Sequence, residues 1–364
     1  MLGTVMAGAP TDRIPLHTIL LPVLGVLAWV VIGKAGLGLV ALLLAIVLLG
    51  SVLAAVHHAE IVALRVGEPY GTLILALAVT VIEAGLIISL MLGGDPNPGL
   101  MRDSVHAAVM LVLHGLAGAC IVIGAWRHRG SEFRVDGANS FLAVLIPMAT
   151  LVLVLPNHVL STEGPYLTTA QLIFISGACL ALYLAFLFIQ TNWHRDYFLP
   201  VGDGPSAGHA RPAGRIAAGS AVLLIVALTS VVLLAKALAP ALEEGVAAVG
   251  APTTVVGVIV AAIVLMPESA AAIRAAAHNR LQSSINLVLG SAVACIGLTV
   301  PAVAAVSFMI GQPLALGISA GQTTLLALSF AVAIITYGTG RTNLLCGIVH
   351  LVLAATYVFT VFAP

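Results

Sequence analysis

Two acidic residues stand in stretches that are otherwise almost wholly apolar. Glu83 lies in GTLILALAVTVIEAGLIISLML and Glu268 in TTVVGVIVAAIVLMPESAAAI. They are 185 positions apart, about half the chain, and each is followed by small residues, Glu-Ala-Gly and Glu-Ser-Ala. A carboxylate left facing hydrocarbon costs at least about 2.5–3.5 kcal/mol, so each must face protein interior or a wet cavity. A pair of bare carboxylates can hold a desolvated cation and can hold protons when the cation leaves. The two ligands compete, because like charges held close together raise one another's pKa. That competition is the chemistry an exchanger needs. The alternative is a protonated, structural glutamate bonded to a neighbouring helix. Pro267 directly precedes Glu268. Proline removes a backbone donor and predicts a kink, whose freed carbonyls can point at a cation or simply serve packing.

Other polar side chains in apolar surroundings are candidates to complete such a site. NRLQSSINLVLGSAVACIGLTVPA holds Ser284, Asn286, Ser291 and Thr299, and Thr80 lies one turn before Glu83. Hydroxyl and amide oxygens suit hard cations such as sodium or calcium, although serine equally serves helix contacts. DSVHAAVMLVLHGLAGACIVIG holds His106 and His114. His114 is a candidate proton relay, with a satisfied interhelical hydrogen bond as the alternative. The segment HHAEIVALRVGEPYG carries His57, His58, Glu60, Arg65 and Glu68 and is expected at the membrane surface. It reads as an ion-paired cluster, with Arg65 bonded to Glu60 or Glu68, or as a vestibule for ions; its spacing fits no zinc signature. Asn157, His158, Gln322, Thr323 and Thr324 are further cavity candidates.

The elements that must position these residues follow from composition. The chain is 61% hydrophobic and only 8% charged, against about 25% charged for a soluble domain, so most of its surface must face lipid. Its net charge is zero, which gives no sign of a nucleic-acid partner. Cys120, Cys179, Cys295 and Cys346 all fall in apolar runs without metal spacing, so no disulfide framework is expected. The first 14 residues lack the features of a cleaved signal peptide, so the first apolar run is expected to stay. At about 20 apolar residues per crossing, the sequence predicts spans near 15–33, 37–58, 70–93, 104–126, 139–160, 167–190, 215–239, 248–274, 282–309, 313–336 and 342–362. The fold class is therefore an all-α polytopic membrane protein of about eleven helices.

Counting Lys and Arg by alternate connections puts eleven on the side of the N-terminus and three (Lys34, Arg102, Lys236) on the other. That bias predicts a cytoplasmic N-terminus and an outer C-terminus. With the first span set aside, five spans precede the longest polar connection and five follow it. An odd number per half makes the second half start from the opposite side, the arithmetic of an inverted repeat with a site near the midplane. The expected organisation is an N-terminal segment 1–36 with one extra helix, a first repeat 37–190, a central cytoplasmic loop 191–214 and a second repeat 215–364. Glu83 and Glu268 then fall on the second span of each repeat.

GEPYGTLILALAVTVIEAGLI (67–87) and MPESAAAIRAAAHNRLQSSINLVLGSAVACIGLTVPAV (266–303) closely resemble the bacterial ChaA-type sodium/calcium–proton antiporters, of the calcium–proton exchanger branch of the calcium/cation antiporters. The resemblance runs from about residue 37 to the C-terminus. It implies ten core helices in two inverted repeats, often with an extra N-terminal helix. It implies cation and proton binding at Glu83 and Glu268, with cation efflux driven by proton entry across a bacterial inner membrane and no cofactor beyond the transported ions. Typical calcium–proton exchangers carry Gly-Asn-x-x-Glu in both repeats. Here the stretches read Val79-Thr80-Val81-Ile82-Glu83 and Val264-Leu265-Met266-Pro267-Glu268. The amide ligand is absent from both, with Thr80 and Asn286 as substitutes. Fewer oxygens suit a monovalent ion such as Na⁺ or K⁺, or a Ca²⁺ ion that keeps some water. The central loop has only Asp196 and Asp203 as acidic residues, so no regulatory calcium site is expected there. The competing classes are a polytopic membrane enzyme using His57, His58 and Glu60 with a metal, and a passive cation channel; the sequence favours a transporter.

Overall fold

The computed structural model describes residues 14–33, 36, 38–67, 70–93, 97–128, 131–199 and 212–363. Among the described residues eleven long helices follow one another: α1 (Leu16–Ile32), α2 (Leu39–Val66), α3 (Tyr70–Gly93), α4 (Leu100–His128), α5 (Val135–Asn157), α6 (Thr169–Trp193), α7 (Gly214–Ala248), α8 (Thr254–Ala277), α9 (Leu281–Ile310), α10 (Ala320–Tyr337) and α11 (Leu344–Phe362). Ten of them, α2 to α11, are long and apolar enough to cross a bilayer. The shorter α1 is also apolar; its 17 residues rise about 26 Å at 1.5 Å per residue. An all-helical design is what hydrocarbon permits, since a helix satisfies its backbone groups within one segment.

The local signals for starts and stops are legible. Thr168 with Gln171 and Ser319 with Gln322 form capping boxes at the starts of α6 and α10, satisfying two orphan backbone donors each. The Asn343 side chain accepts the Cys346 N–H at the start of α11. Gly33 and Gly67 terminate α1 and α2 with φ of 69° and 80°, and Gly311 ends α9 in the left-handed region. Four of the crossings contain a π-turn: Leu111–Leu116 in α4, Thr150–Val154 in α5, Ile189–Trp193 in α6 and Cys295–Thr299 in α9.

Two boundaries differ from the sequence expectation. α2 was expected to end near 58 but continues to Val66, because nothing between His57 and Gly67 breaks a helix. His57, His58, Glu60 and Arg65 therefore sit on the last turns of a helix rather than in a connection. α7 was expected over 215–239 but runs 35 residues to Ala248, straight through Pro240. The central-loop positions 200–211 lie outside the described residues, as does Glu68.

Packing divides the chain into two compact units, Met1–Asn97 with Gly204–Gly250, and Pro98–Asp203 with Ala251–Pro364. These cut across the two halves that precede and follow the central connection.

In the first unit α7 lies against α1, α2 and α3. Ser51 and Ser230 share a buried hydrogen bond of 3.1 Å between α2 and α7, and Gly25 of α1 leaves room for Ser230 and Leu234. Ser89 of α3 donates to the Val232 carbonyl of α7 at 3.0 Å. A His58 ring nitrogen lies 3.2 Å from the Thr18 carbonyl and ties α2 to α1. Small residues and interhelical hydrogen bonds hold membrane helices together, where lipid tails are as apolar as leucine.

In the second unit α4 is sandwiched between α8 and α11. A Cβ on Gly257 of α8 would stand 2.7 Å from the Asp103 backbone, and at the far end Arg127 and His128 approach the Ala277 carbonyl at 3.3 Å. The two helices thus run parallel for their whole length. α11 runs antiparallel to α4, with Gly347 against Gly118 and Val122. Phe141, Phe186 and Phe198 form an aromatic cluster between α5, α6 and the segment after α6. Ser131–Glu132 and Arg341–Thr342 pair as two short antiparallel strands, closed by a Glu132–Arg341 ion pair, and Tyr166 bridges Ala315 elsewhere.

The α4–α11 seam admits backbone-to-backbone approach only while both glycines stay. A Cβ on Gly347 would meet Val122 at 2.7–2.8 Å. Gly347→Val is expected to cost about 1–3 kcal/mol through overpacking, read as earlier loss of the monodisperse peak when detergent-solubilised protein is heated. Gly177→Val on α6, where nothing stands within 4 Å, is expected to leave the transition unmoved.

Candidate functional site

Glu83 is the fourteenth residue of α3, about 20 Å along it at 1.5 Å per residue, and only 4% exposed. Its neighbours Ile82, Ala84 and Leu86 are buried too, and Gly85 lies against Val232 of α7. Thr80, one turn earlier, is buried and donates its hydroxyl hydrogen to the Ala76 carbonyl at 2.8 Å. That bond uses the donor and leaves the oxygen lone pairs for a cation or a protonated carboxyl.

Glu268 sits half-buried on α8. The helix continues through Pro267 without a break. Proline has no N–H, so the Ile263 carbonyl loses its usual helical donor. Ser269 donates to the Leu265 carbonyl at 2.6 Å. The turn carrying Glu268 is therefore unusually rich in oxygen.

Register fixes which groups share its depth in the second unit. Glu268 lies eleven residues beyond Gly257, and His114 lies eleven beyond Asp103, with Gly257 and Asp103 in contact on parallel helices. The two therefore stand at one level, about 16 Å in at 1.5 Å per residue. α9 returns beside α8 after a tight turn over His278–Arg280. Ser291, ten residues into α9, comes level with Glu268, whereas Asn286 is only five in.

Asn286 is held by structural bonds. Its amide nitrogen donates to the Phe198 carbonyl at 2.6 Å, and its oxygen accepts from Gln282 at 2.9 Å. Gln282 in turn accepts the Arg134 backbone N–H at 2.6 Å. Gln322 is bound in the capping box of α10, and Thr323 and Thr324 donate to carbonyls four residues back. His57 and His58 pack edge to face at 5.5 Å on α2, and Arg65 donates to the Pro212 carbonyl at 3.4 Å. Asn157 donates to the Ile318 carbonyl at 2.5 Å. Among the described residues no cluster of three His, Cys, Asp or Glu side chains could hold a metal.

His114 has a partner that sequence reading missed. Its Nδ1 lies 2.8 Å from Nδ1 of His350 on α11, with stacked rings 4.9 Å apart and both residues fully buried. Nε2 of His350 lies 3.0 Å from the Thr336 hydroxyl on α10. Eight residues earlier on α4, His106 packs edge to face on Tyr357 of α11. The available signal was spacing: His106 and His114 are two turns apart on one helix, and His350 and Tyr357 two turns apart on another. Asp103 was missed as well; it is buried beside Arg102 at 2.8 Å.

A polytopic helical protein with buried carboxylates and imidazoles inside its crossings is built as a membrane transporter. The chain belongs to the sodium/calcium exchanger protein family, whose pattern matches residues 35–192 and 219–363. It is 49% identical over 318 residues to the putative ionic transporter y4hA of Sinorhizobium fredii, covering 86% of this chain and 85% of that one. It is 35% identical over 326 residues to the sodium-potassium/proton antiporter ChaA of Escherichia coli, covering 88% of each. Among solved structures, native YfkE superposes with a TM-score of 0.73 at 18% identity, covering 96% of this chain and 99% of that one. The H⁺/Ca²⁺ exchanger CAX superposes at 0.70 and 14% identity, covering 94% and 87%. At such identities the two structures speak for the fold alone. The protein is a transporter rather than an enzyme.

The bonds of Asn286 generate a prediction. Asn286→Ala strands the Phe198 carbonyl and the Gln282 amide, and each buried polar group left unsatisfied costs about 1–3 kcal/mol. The expected result is a clear fall in the thermal transition of the purified protein; an unchanged transition together with altered ion affinity would instead make Asn286 a ligand.

Proposed function

We propose that the chain is a secondary active antiporter that exports a small cation in exchange for protons, with Glu83 and Glu268 as the shared cation and proton ligands. The observation that carries this reading is the pair of acidic side chains inside the second span of each half, Glu83 only 4% exposed. A carboxylate in that setting is retained where it has work with ions, since hydrocarbon penalises it strongly. Thr80 and Ser291 add hydroxyl oxygens near each carboxylate; Asn286 supports the α9 turn below Ser291. His114 holds or relays a proton. Gln322 and Glu68 belong to the approaches to the site rather than to its ligand set.

Several features support an inverted repeat of five plus five spans behind α1. The third span of each half carries a π-turn, Leu111–Leu116 and Cys295–Thr299. The third span of the first half packs on the fifth of the second through Gly118 and Gly347, and the third of the second packs on the fifth of the first through Gly297 and Tyr183. The strand pair and the Tyr166–Ala315 bridge join connections in the same reciprocal way: third-to-fourth with fourth-to-fifth. Each pairing also joins connections that fall on one side when eleven spans alternate, and the Lys and Arg bias makes the N-terminal side cytoplasmic and the C-terminus outer, in a bacterial inner membrane.

The ion is Na⁺, K⁺ or Ca²⁺. ChaA, at 35% identity, is named for sodium, potassium and protons. Here Thr80 and Leu265 stand where an amide ligand would add an oxygen three residues before each glutamate. A site with two carboxylates and few neutral oxygens suits a monovalent ion, or calcium that retains water.

The test uses purified protein in proteoliposomes under an imposed pH gradient with an internal pH dye, adding the three cations one at a time. Wild type is expected to move protons on addition of at least one of them. Glu83→Gln and Glu268→Gln are each expected to lose exchange by at least about 100-fold, the scale of a lost charge worth about 2.7 kcal/mol or more, with expression and elution unchanged. Undiminished exchange by either variant would sink the mechanism.

A further inference from the structure

We propose that His114 and His350 form a one-proton binding site, separate from the two carboxylates, whose occupancy competes with the cation at Glu268. This rests on Glu268 being the cation ligand argued above.

Two ring nitrogens 2.8 Å apart cannot both carry hydrogen, so one Nδ1 donates and the other accepts. The neutral dyad has two arrangements. If His114 donates, His350 carries its proton on Nε2 and donates to Thr336 Oγ1, leaving His114 Nε2 an open acceptor. If His350 donates, its Nε2 accepts from the Thr336 hydroxyl and His114 carries hydrogen on Nε2. A third proton fits either arrangement without moving a ring: both Nε2 atoms then carry hydrogen and the Nδ1 bond stays. A fourth would place two N–H groups head to head. The geometry therefore accepts one proton and no more, and the two rings titrate as one unit.

The same geometry gives the point of exchange. Nε2 of His350 is engaged by Thr336, whereas Nε2 of His114 is buried and has no partner among the described residues. A buried polar atom of this kind needs water or a transferred proton. His106 Nε2 and Tyr357 Oη, nearer the Asp103 end of the same seam, are also buried without partners. The seam between α4 and α11 thus has three unmet polar atoms in a membrane interior.

The groups able to set the dyad's charge are few. On α4 they are His106 and Cys120, with Arg102 and Asp103 at the end of the helix; on α11 they are Tyr357 and Cys346. α10 contributes Tyr337, its ring 6.1 Å from that of His350. α9 has Cys295 as its only titratable side chain, and α8 carries Glu268 level with His114 and Arg274 about a turn and a half beyond. Glu268 is thus the one acidic group at the dyad's depth on these helices. A carboxylate there favours the protonated dyad; a cation bound to that carboxylate cancels the attraction and releases the proton.

The experiment follows the imidazole nitrogens of ¹⁵N-histidine-labelled protein in nanodiscs by NMR, with His114→Gln and Thr336→Val for assignment. His114 and His350 are expected to titrate together with one shared midpoint, and saturating cation is expected to move that midpoint lower by about one unit, tenfold in proton affinity. In Glu268→Gln the joint titration is expected to persist without the response to cation. Independent midpoints for the two rings, no titration at any pH at which the protein stays folded, or a midpoint in wild type that ignores the cation would each overturn the proposal. The titration reads the dyad without transport, so its failure is told apart from failure of antiport, which the liposome assay scores alone.

Discussion

The structure is governed by the absence of water to solvate charge inside a bilayer. Backbone groups must find partners within their own segment, which leaves helices for a chain of this kind. Side chains that carry charge or strong dipoles must face one another, since lipid offers nothing in return. The apolar residues meet this constraint by default; the consequences fall on the few polar ones. Ser51 finds Ser230, Ser89 finds the Val232 carbonyl, His58 finds the Thr18 carbonyl, and Asn286 finds Gln282 and Phe198. All of these but the Gln282–Asn286 bond, which lies within α9, join different segments, so polar groups that hydrocarbon penalises become the points that fix helix register.

Close approach does the remaining work. Gly25, Gly118, Gly257, Gly297 and Gly347 stand where a Cβ would strike a neighbouring helix. Where backbones touch, register is fixed tightly, and the Gly257–Asp103 contact sets the depth of every group on α8 relative to α4. The level of Glu268 with His114 is a consequence of that one contact, carried up two rigid helices. Each π-turn adds a residue to its helical turn and resets the faces beyond it. One such turn includes His114, and the one in α9 includes Gly297, which meets Tyr183.

Much of this was legible in the sequence. The spans follow from long apolar runs, and Glu83 and Glu268 stand out because nothing near them is charged. Helix ends were less legible. α2 overran its expected end because hydropathy drops at His57 while helix propensity does not, and only Gly67 stops it. The partners of polar residues were not legible at all. Gln322 lies in an apolar run and reads as cavity-lining, yet it closes a capping box with Ser319; the Ser-x-x-Gln spacing was the available sign. Asn286 reads as a cation ligand, and nothing near it in the sequence points to its bond with the Phe198 carbonyl, 88 positions earlier. His350 is 236 positions from His114, and no local pattern joins residues at that distance.

Coupling by competition makes a demand on such a protein that a single ligand set meets poorly. A lone carboxylate exchanges one proton for one unit of positive charge. On the exchange proposed above, a second proton store at the same depth would let the site answer a cation with more than one proton, or answer it at a pH the carboxylate alone would not choose. An imidazole pair suits this role because its neutral form is tolerated in hydrocarbon, while its charged form is tolerated only beside a free carboxylate. The state with cation bound and dyad protonated, and the state with neither, are then both disfavoured. Those are the states whose passage across the membrane would be slip rather than exchange. The tightness of the coupling would then be set by how strongly the charge at Glu268 is felt on α4, and hence by the glycine contact that holds the two helices together.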